Sequence, residues 1–230
     1  MTKFLAVFLC MLVSYSVDSQ TYWCAKPGRI DSLVKAMRIT THDLEVLSDT
    51  LFVPFNTDSE KVRAIYCWMT QNIAYDWDKY QHCQSNPLPE GMDEEKWEYK
   101  QVCDIVKKRK GVCGDYANLF EYLCESAHVR CAYITGYGKG PLTKFLFATG
   151  PESNHAWNAV LINNKWYLMD VTWAAGTIID NGKKIAAPRN DKYYLCSPEV
   201  FIKDHHPDLD EWQLLPKPLD PKEWVKQATE

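Results

Sequence analysis

Three residues of this sequence have the types and order needed for nucleophilic chemistry: Cys113, His155 and Asp170. Cys113 stands in Lys-Gly-Val-Cys-Gly-Asp-Tyr-Ala, at the head of a stretch (113–127) with Tyr116, Leu119, Phe120 and Leu123 at helical spacing. A cysteine in the first turn of a helix faces unpaired backbone N–H groups and the positive end of the dipole. Both stabilise a thiolate, the form that attacks. The same N–H groups could hold the oxyanion of a tetrahedral intermediate, and Gly111 and Gly114 leave room for a substrate backbone. A cysteine in this setting also fits a structural thiol or half-cystine, so its partners decide. His155 opens an alternating segment (155–162), Asn163-Asn164 reads as a turn, and a second strand (165–171) carries Asp170 near its end. With 162 opposite 165, position 155 falls opposite 172, on the same face as Asp170 and within diagonal reach. An aspartate accepting from one imidazole nitrogen fixes the tautomer and frees the other nitrogen to take a proton from a thiol.

The elements that must position these residues follow from periodicity and punctuation. Residues 41–51 and 58–73 read as helices; Thr57 with Glu60 forms a capping-box pattern, and Val62, Ile65, Tyr66, Met69 and Ile73 mark one apolar face. Residues 76–97, polar and holding Pro87, Pro89 and Gly91, read as a surface loop, followed by a short helix over 99–108. After the Cys113 helix come a strand (131–137), a loop (138–154), the hairpin, and a proline-rich C-terminal part expected to wrap the core. Helices first, then an antiparallel sheet: the fold class is α+β, with N-terminal helices packed on the sheet.

The 230 residues, 46% hydrophobic and 24% charged, suit one substantial core. A net charge of −4 argues against nucleic acid as a partner. Lys3 followed by the apolar run Phe4 to Val13 and small residues at 17 and 19 reads as a secretory signal peptide over residues 1–19, too short to span a bilayer, with a single domain over 20–230 and no membrane insertion. Secretion then predicts paired cysteines. Of nine, Cys10 leaves with the leader, and a reduced Cys113 leaves an odd number; Cys83 and Cys103 flank the polar insertion that a disulfide could close. No Cys-x-x-Cys occurs, so a structural zinc site is not expected; no cofactor is expected either.

The segments GVCGDYANLFEYLCESAHVRCAYITGYGKG, NHAWNAVLINNKWYLMDVTWAAG and PEVFIKDHHPDLDEWQLL, with RAIYCWMTQNIAYD upstream, resemble the transglutaminase-like domain of the kyphoscoliosis-peptidase type over about residues 28–215. His155 lies 42 residues after Cys113, and Asp170 15 after that. The resemblance implies a papain-like core with Cys113 as nucleophile, His155 as general base and acid, and Asp170 as orienting carboxylate. It also implies an aromatic oxyanion stabiliser shortly upstream, Trp77 first and Tyr75 second. Trp157, Trp166 and Trp173, on or beside the hairpin, read as core or groove wall, and Trp157 and Trp173 are also candidates for lining a substrate cleft. His205-His206 reads as surface loop, and Asp115 and Tyr116 as first-turn and packing residues. The expected chemistry is thiol acyl transfer on peptide or glutamine amides of a protein or peptide substrate. No acidic calcium loop is visible, which tilts the expectation towards hydrolysis over transamidation. The alternative is a non-catalytic secreted binding protein on the same fold.

Overall fold

Thr57 and Glu60 close the expected capping box: the Thr57 hydroxyl accepts from the Glu60 amide (3.3 Å) while the Glu60 carboxylate accepts from the Thr57 amide (3.2 Å). Two donors that a helix start leaves unpaired are thereby satisfied. The computed structural model describes residues 27–82, 87–139, 153–180, 183–186 and 189–226. In chain order the helix so capped is α3 (Asp58–Asn72), preceded by α1 (Pro27–Met37), which periodicity did not single out, and α2 (Leu44–Phe52), capped by Asp43 through the Val46 amide. The signal-peptide reading of residues 1–19 lies outside the described residues.

α3 is buried on every side from Val62 to Thr70, more than its one apolar stripe suggested. The charged residue in this stretch is Arg63, 3% exposed, which forms two 2.7 Å bonds to Asp31 of α1 and one of 2.9 Å to Asp191. Arg189 also donates to Asp31. Burial alone would raise the Asp31 pKa, but its bonds to Arg63 and Arg189 outweigh this and hold it at about 2. A guanidinium is accepted in the core because carboxylates meet it there.

Beyond α3 come β1 (Ala74–Tyr75), α4 (Trp77–Gln81), α5 (Glu94–Lys108), β2 (Lys110–Gly111) and α6 (Cys113–Ser126). The polar segment expected to be loop throughout therefore holds a helical turn and the start of a longer helix. Asp76 caps the first through the Lys79 amide and Asp93 the second through the Lys96 amide, local bonds that outweigh polar composition. β1 and β2 pair in parallel, Tyr75 opposite Gly111.

A four-stranded antiparallel sheet follows in the order β5-β4-β3-β8, built from β3 (Cys131–Gly138), β4 (His155–Ile162), β5 (Lys165–Met169) and β8 (His205–Pro207). The hairpin has the expected register, Ile162 opposite Lys165, with Asn163 and Asn164 at φ 51° and 61°. Asparagine tolerates the left-handed region that such a turn requires. Between β5 and β8 lie α7 (Val171–Ala174), the β6 (Thr177–Asp180)–β7 (Lys183–Ala186) ribbon and α8 (Pro198–Phe201). A 3-10 turn (Asp210–Gln213) and α9 (Pro221–Lys226) complete the chain. α6 packs across β3 and β4, tied by the buried Asn158, whose side-chain N–H donates to the Ala117 carbonyl at 3.1 Å. The architecture is α+β, with α6 against the sheet. Among the described residues no helix is long and apolar enough to cross a membrane.

One glycine permits β8 to join the sheet. A Cβ on Gly136 would meet the His206 carbonyl oxygen, Trp157 at 2.5 Å and the Pro207 Cα at 2.7 Å. Neither backbone contact can swing away. Gly136→Ala is therefore expected to destabilise the protein by about 3 kcal/mol or more, the upper range for overpacking. Urea denaturation followed by tryptophan fluorescence checks this; an unchanged midpoint would show that β8 does not bear on Gly136 in solution.

Candidate active site

Cys113 is the first residue of α6, as its sequence setting predicts, and is half-buried. The turn before it is braced from one side chain. Asp115 accepts from the Val112 amide at 2.9 Å and binds Lys79 of α4 at 2.8 Å. The role expected for Asp115 as a first-turn residue is thus realised, and it also anchors α4. Tyr116 is buried, with its hydroxyl on the Ile73 carbonyl at 2.5 Å. Gly111 departs from expectation: a Cβ there would sit 2.6 Å from the Asp115 Cβ, so its bareness makes room for this brace and not for substrate.

His155 is buried at the start of β4, opposite Gly136. Asp170 is wholly buried, one residue past the end of β5, because the chain turns there into α7 with Asp170 as its cap. Its Oδ1 accepts from the Trp173 amide at 2.9 Å and its Oδ2 from His155 Nε2 at 2.7 Å. A carboxylate only accepts, so the Nε2 proton belongs to the ring and Nδ1 is the nitrogen left for a second partner. Cys113 is near enough to act on the same ring and adds to the rise of its pKa. Gly138 gives the ring its space: a Cβ there would come within 3.1 Å of His155 Cδ2 and 3.0 Å of Trp173.

The electrostatics follow from this stacking of partners. Burial pulls the His155 pKa down, but the charge and hydrogen bond of Asp170, with Cys113 adding, hold it well above the ordinary imidazole value. Burial would likewise raise Asp170, yet His155 and His205 keep it far below the usual carboxylate range. Two phenols border the nucleophile. Burial pushes Tyr133 up to about 12, with Cys113 and Asp115 adding to the shift. Burial also raises Tyr75 well above its ordinary value, again with Cys113 contributing. Both remain O–H donors near neutral pH. Tyr133 was not singled out from sequence; its signal is its place on β3, the strand next to that of His155.

The tryptophans divide. Trp77 opens α4, half-buried and stacked on Tyr80 at 5.1 Å, and the Asp76 amide donates to the Gly111 carbonyl at 2.9 Å. That bond ties the Trp77 segment to the strand leading into Cys113. Trp173 is half-buried and stacks on the His155 ring at 5.1 Å. Trp157 is 1% exposed, packed among Phe201, Ile134 and Leu168, so of its two readings the core one holds and the cleft-lining one does not: its strand position faces the core. The largest correction concerns His205 and His206. Expected in a surface loop, both are buried, because they form the sheet strand β8. His205 Nε2 lies 3.0 Å from the same Asp170 oxygen that His155 uses.

His155, Asp170 and His205 are the residues, among those described, whose ligand atoms lie close enough (within 4.8 Å of one another) to bind a metal. The 2.7 and 3.0 Å separations are direct hydrogen-bond lengths, and protons account for them. Among the described residues Cys67, Cys103, Cys113, Cys124, Cys131 and Cys196 are thiols. Cys83, the expected partner of Cys103, lies outside the described residues.

With this geometry in view, comparisons with known proteins are informative. A family model described as the transglutaminase-like superfamily matches residues 47–171. Kyphoscoliosis peptidase of Homo sapiens is 36% identical over 212 residues, covering 90% of this chain and 29% of that protein. Hillarin of Drosophila melanogaster is 31% identical, covering 73% of this chain and 20% of that protein. The chain thus spans less than a third of the length of these curated relatives. A solved structure described as a TGase is 16% identical over 80% of this chain and 40% of that chain, with a TM-score of 0.39.

Proposed function

The chain belongs to the transglutaminase-like superfamily, and from that premise we propose that it is a cysteine enzyme that transfers acyl groups from peptide or glutamine amides. The observation that carries the reading is the buried 2.7 Å bond from His155 to Asp170, with Cys113 at the head of α6 acting on the same imidazole. In this reaction the Cys113 thiol gives its proton to His155 as the sulfur attacks the amide carbonyl carbon and a C–S bond forms. The C–N bond then breaks, and the leaving nitrogen takes a proton from His155. The thioester is released when water, or a second amine, gives up a proton to His155 and attacks the same carbon; the C–S bond breaks and the Cys113 sulfur takes that proton back from His155. Asp170 holds the ring so that Nδ1 faces the sulfur, and stabilises the imidazolium each time it forms.

Backbone N–H groups at the start of α6, with Trp77 beside them, supply the oxyanion site in this reading. An open groove of about 890 Å³ lies between α5 and α6, with Tyr99, Glu121, Tyr122 and Tyr133 among its lining residues. The peptidase name of the human relative supports hydrolysis as the outcome. Residues 1–19 support secretion of one domain over 20–230.

The reading is tested by incubating the protein with peptide and glutamine amides, with and without a primary amine, and following the acyl-enzyme by intact mass. A mass adduct confined to Cys113 and lost to water is expected. Absence of any Cys113-linked adduct, together with alkylation by iodoacetamide no faster than in His155→Ala, would replace the enzyme by the binding-protein alternative.

A further inference from the structure

We propose that His205 is a positioning residue for the Cys113 reaction: it grips the Asp170 oxygen that His155 uses and fixes where that oxygen stands. The inference rests on the thiol acyl-transfer reading above and adds to it a residue from the opposite edge of the sheet. Asp170 Oδ2 takes two donors, His155 Nε2 at 2.7 Å and His205 Nε2 at 3.0 Å. A lone His155–Asp170 bond can follow any swing of the carboxylate. A second donor, approaching from another strand, cannot follow the same swing, so the oxygen is held at the meeting point of two rings.

His205 is itself held from behind. Its Nδ1 lies 2.9 Å from Asp204 Oδ1, and Asp204 Oδ2 accepts from Tyr193 (2.7 Å) and Lys192 (2.9 Å). The ring is 0% exposed and stacked on Phe201 at 4.0 Å, with Trp173 at 4.4 Å, Trp157 at 5.1 Å and Tyr193 at 5.3 Å. The two ring nitrogens face carboxylate oxygens on opposite sides, Asp170 Oδ2 and Asp204 Oδ1. Packing does not call for this: a phenylalanine would fill the same aromatic cage without any buried polar atom to satisfy. What a histidine adds there is a donor aimed at Asp170. Register delivers it, since β8 pairs Gly138 with His205 on the strand that also neighbours His155.

The test reads Cys113 alkylation by iodoacetamide, followed by mass spectrometry, which needs no substrate. Wild type, His155→Ala, Asp170→Asn, His205→Phe and the double variant Asp170→Asn/His205→Phe are compared. His205→Phe is expected to slow labelling about tenfold in the wild-type background and less than about twofold in Asp170→Asn, because its effect passes through Asp170. His205→Gln, whose amide N–H reaches the Nε2 position, is expected to recover most of the rate. Should His205→Phe not fold, His205→Asn takes its place in the cycle, its shorter amide meeting Asp204 but not Asp170. Equal losses in both backgrounds, or an unchanged rate in His205→Phe, overturn the inference while His155-dependent labelling persists. Labelling that is unchanged in His155→Ala overturns the acyl-transfer reading and this inference together.

Discussion

Cys113→Ala is expected to abolish amide turnover, by about 10³-fold or more, while leaving the fold intact. The size of the loss follows from covalency: without the sulfur no C–S bond can form, and the thioester route is closed, not merely slowed. The fold survives because Cys113 is half-buried at the head of α6, where removing one sulfur exposes little apolar surface. The helix start keeps its brace, since the Asp115 bonds to the Val112 amide and to Lys79 do not involve the thiol. Turnover of an amide that wild type acylates, read beside near-UV circular dichroism, checks both halves. An alanine variant within tenfold of wild type would remove Cys113 from the reaction.

Asp170→Asn is expected to lower kcat by about 10³- to 10⁴-fold, as when the orienting carboxylate of a comparable triad is neutralised. The isosteric amide keeps an oxygen but loses the charge, and its N–H₂ can turn towards His155 and impose the wrong tautomer. The loss should also depend on pH, with a sign fixed by the forces on His155. Burial lowers its pKa, and the Asp170 charge and hydrogen bond, with Cys113, raise it above the ordinary 6.5. The protonated ring must donate to the leaving amine, so activity falls as pH rises through that raised pKa, above neutrality in wild type. With Asp170 neutral its charge no longer raises the pKa, while burial still lowers it and only the smaller Cys113 contribution opposes that, so the alkaline limb of kcat/KM moves towards acid. The deficit of the variant therefore grows from pH 6 to pH 9. A constant ratio across that range would mean that Asp170 does not set the imidazole's protonation.

Much of this site was legible in one dimension because the features that carry it are local. A cysteine after Gly-Val and before a helical apolar stripe can be recognised because a helix start is defined by its own four residues. Thr57 with Glu60 caps α3 through bonds three residues apart. The hairpin register followed from Asn163-Asn164, since a two-residue turn fixes which positions face each other. The α+β order, the membership of the family and the spacing of Cys113, His155 and Asp170 needed nothing more distant than these.

What the sequence left open concerns residues whose partners are far along the chain. His205 and His206 carry a polar, proline-flanked signature that suits a loop. They are core residues because β3 offers a free edge at Gly136, where the lack of a Cβ lets β8 approach, 69 or more positions away in sequence. Arg63 breaks the apolar pattern of α3 yet is buried, since Asp31 and Asp191, from segments on either side, reach it. Trp157 alternates as a cleft residue would, but the strand's two faces are told apart only by what packs on each. Composition and periodicity report which groups would gain by leaving water. Which charges, rings and glycines meet is decided by the tertiary fold, because hydrogen bonds between distant strands depend on distance in space and not on spacing along the chain.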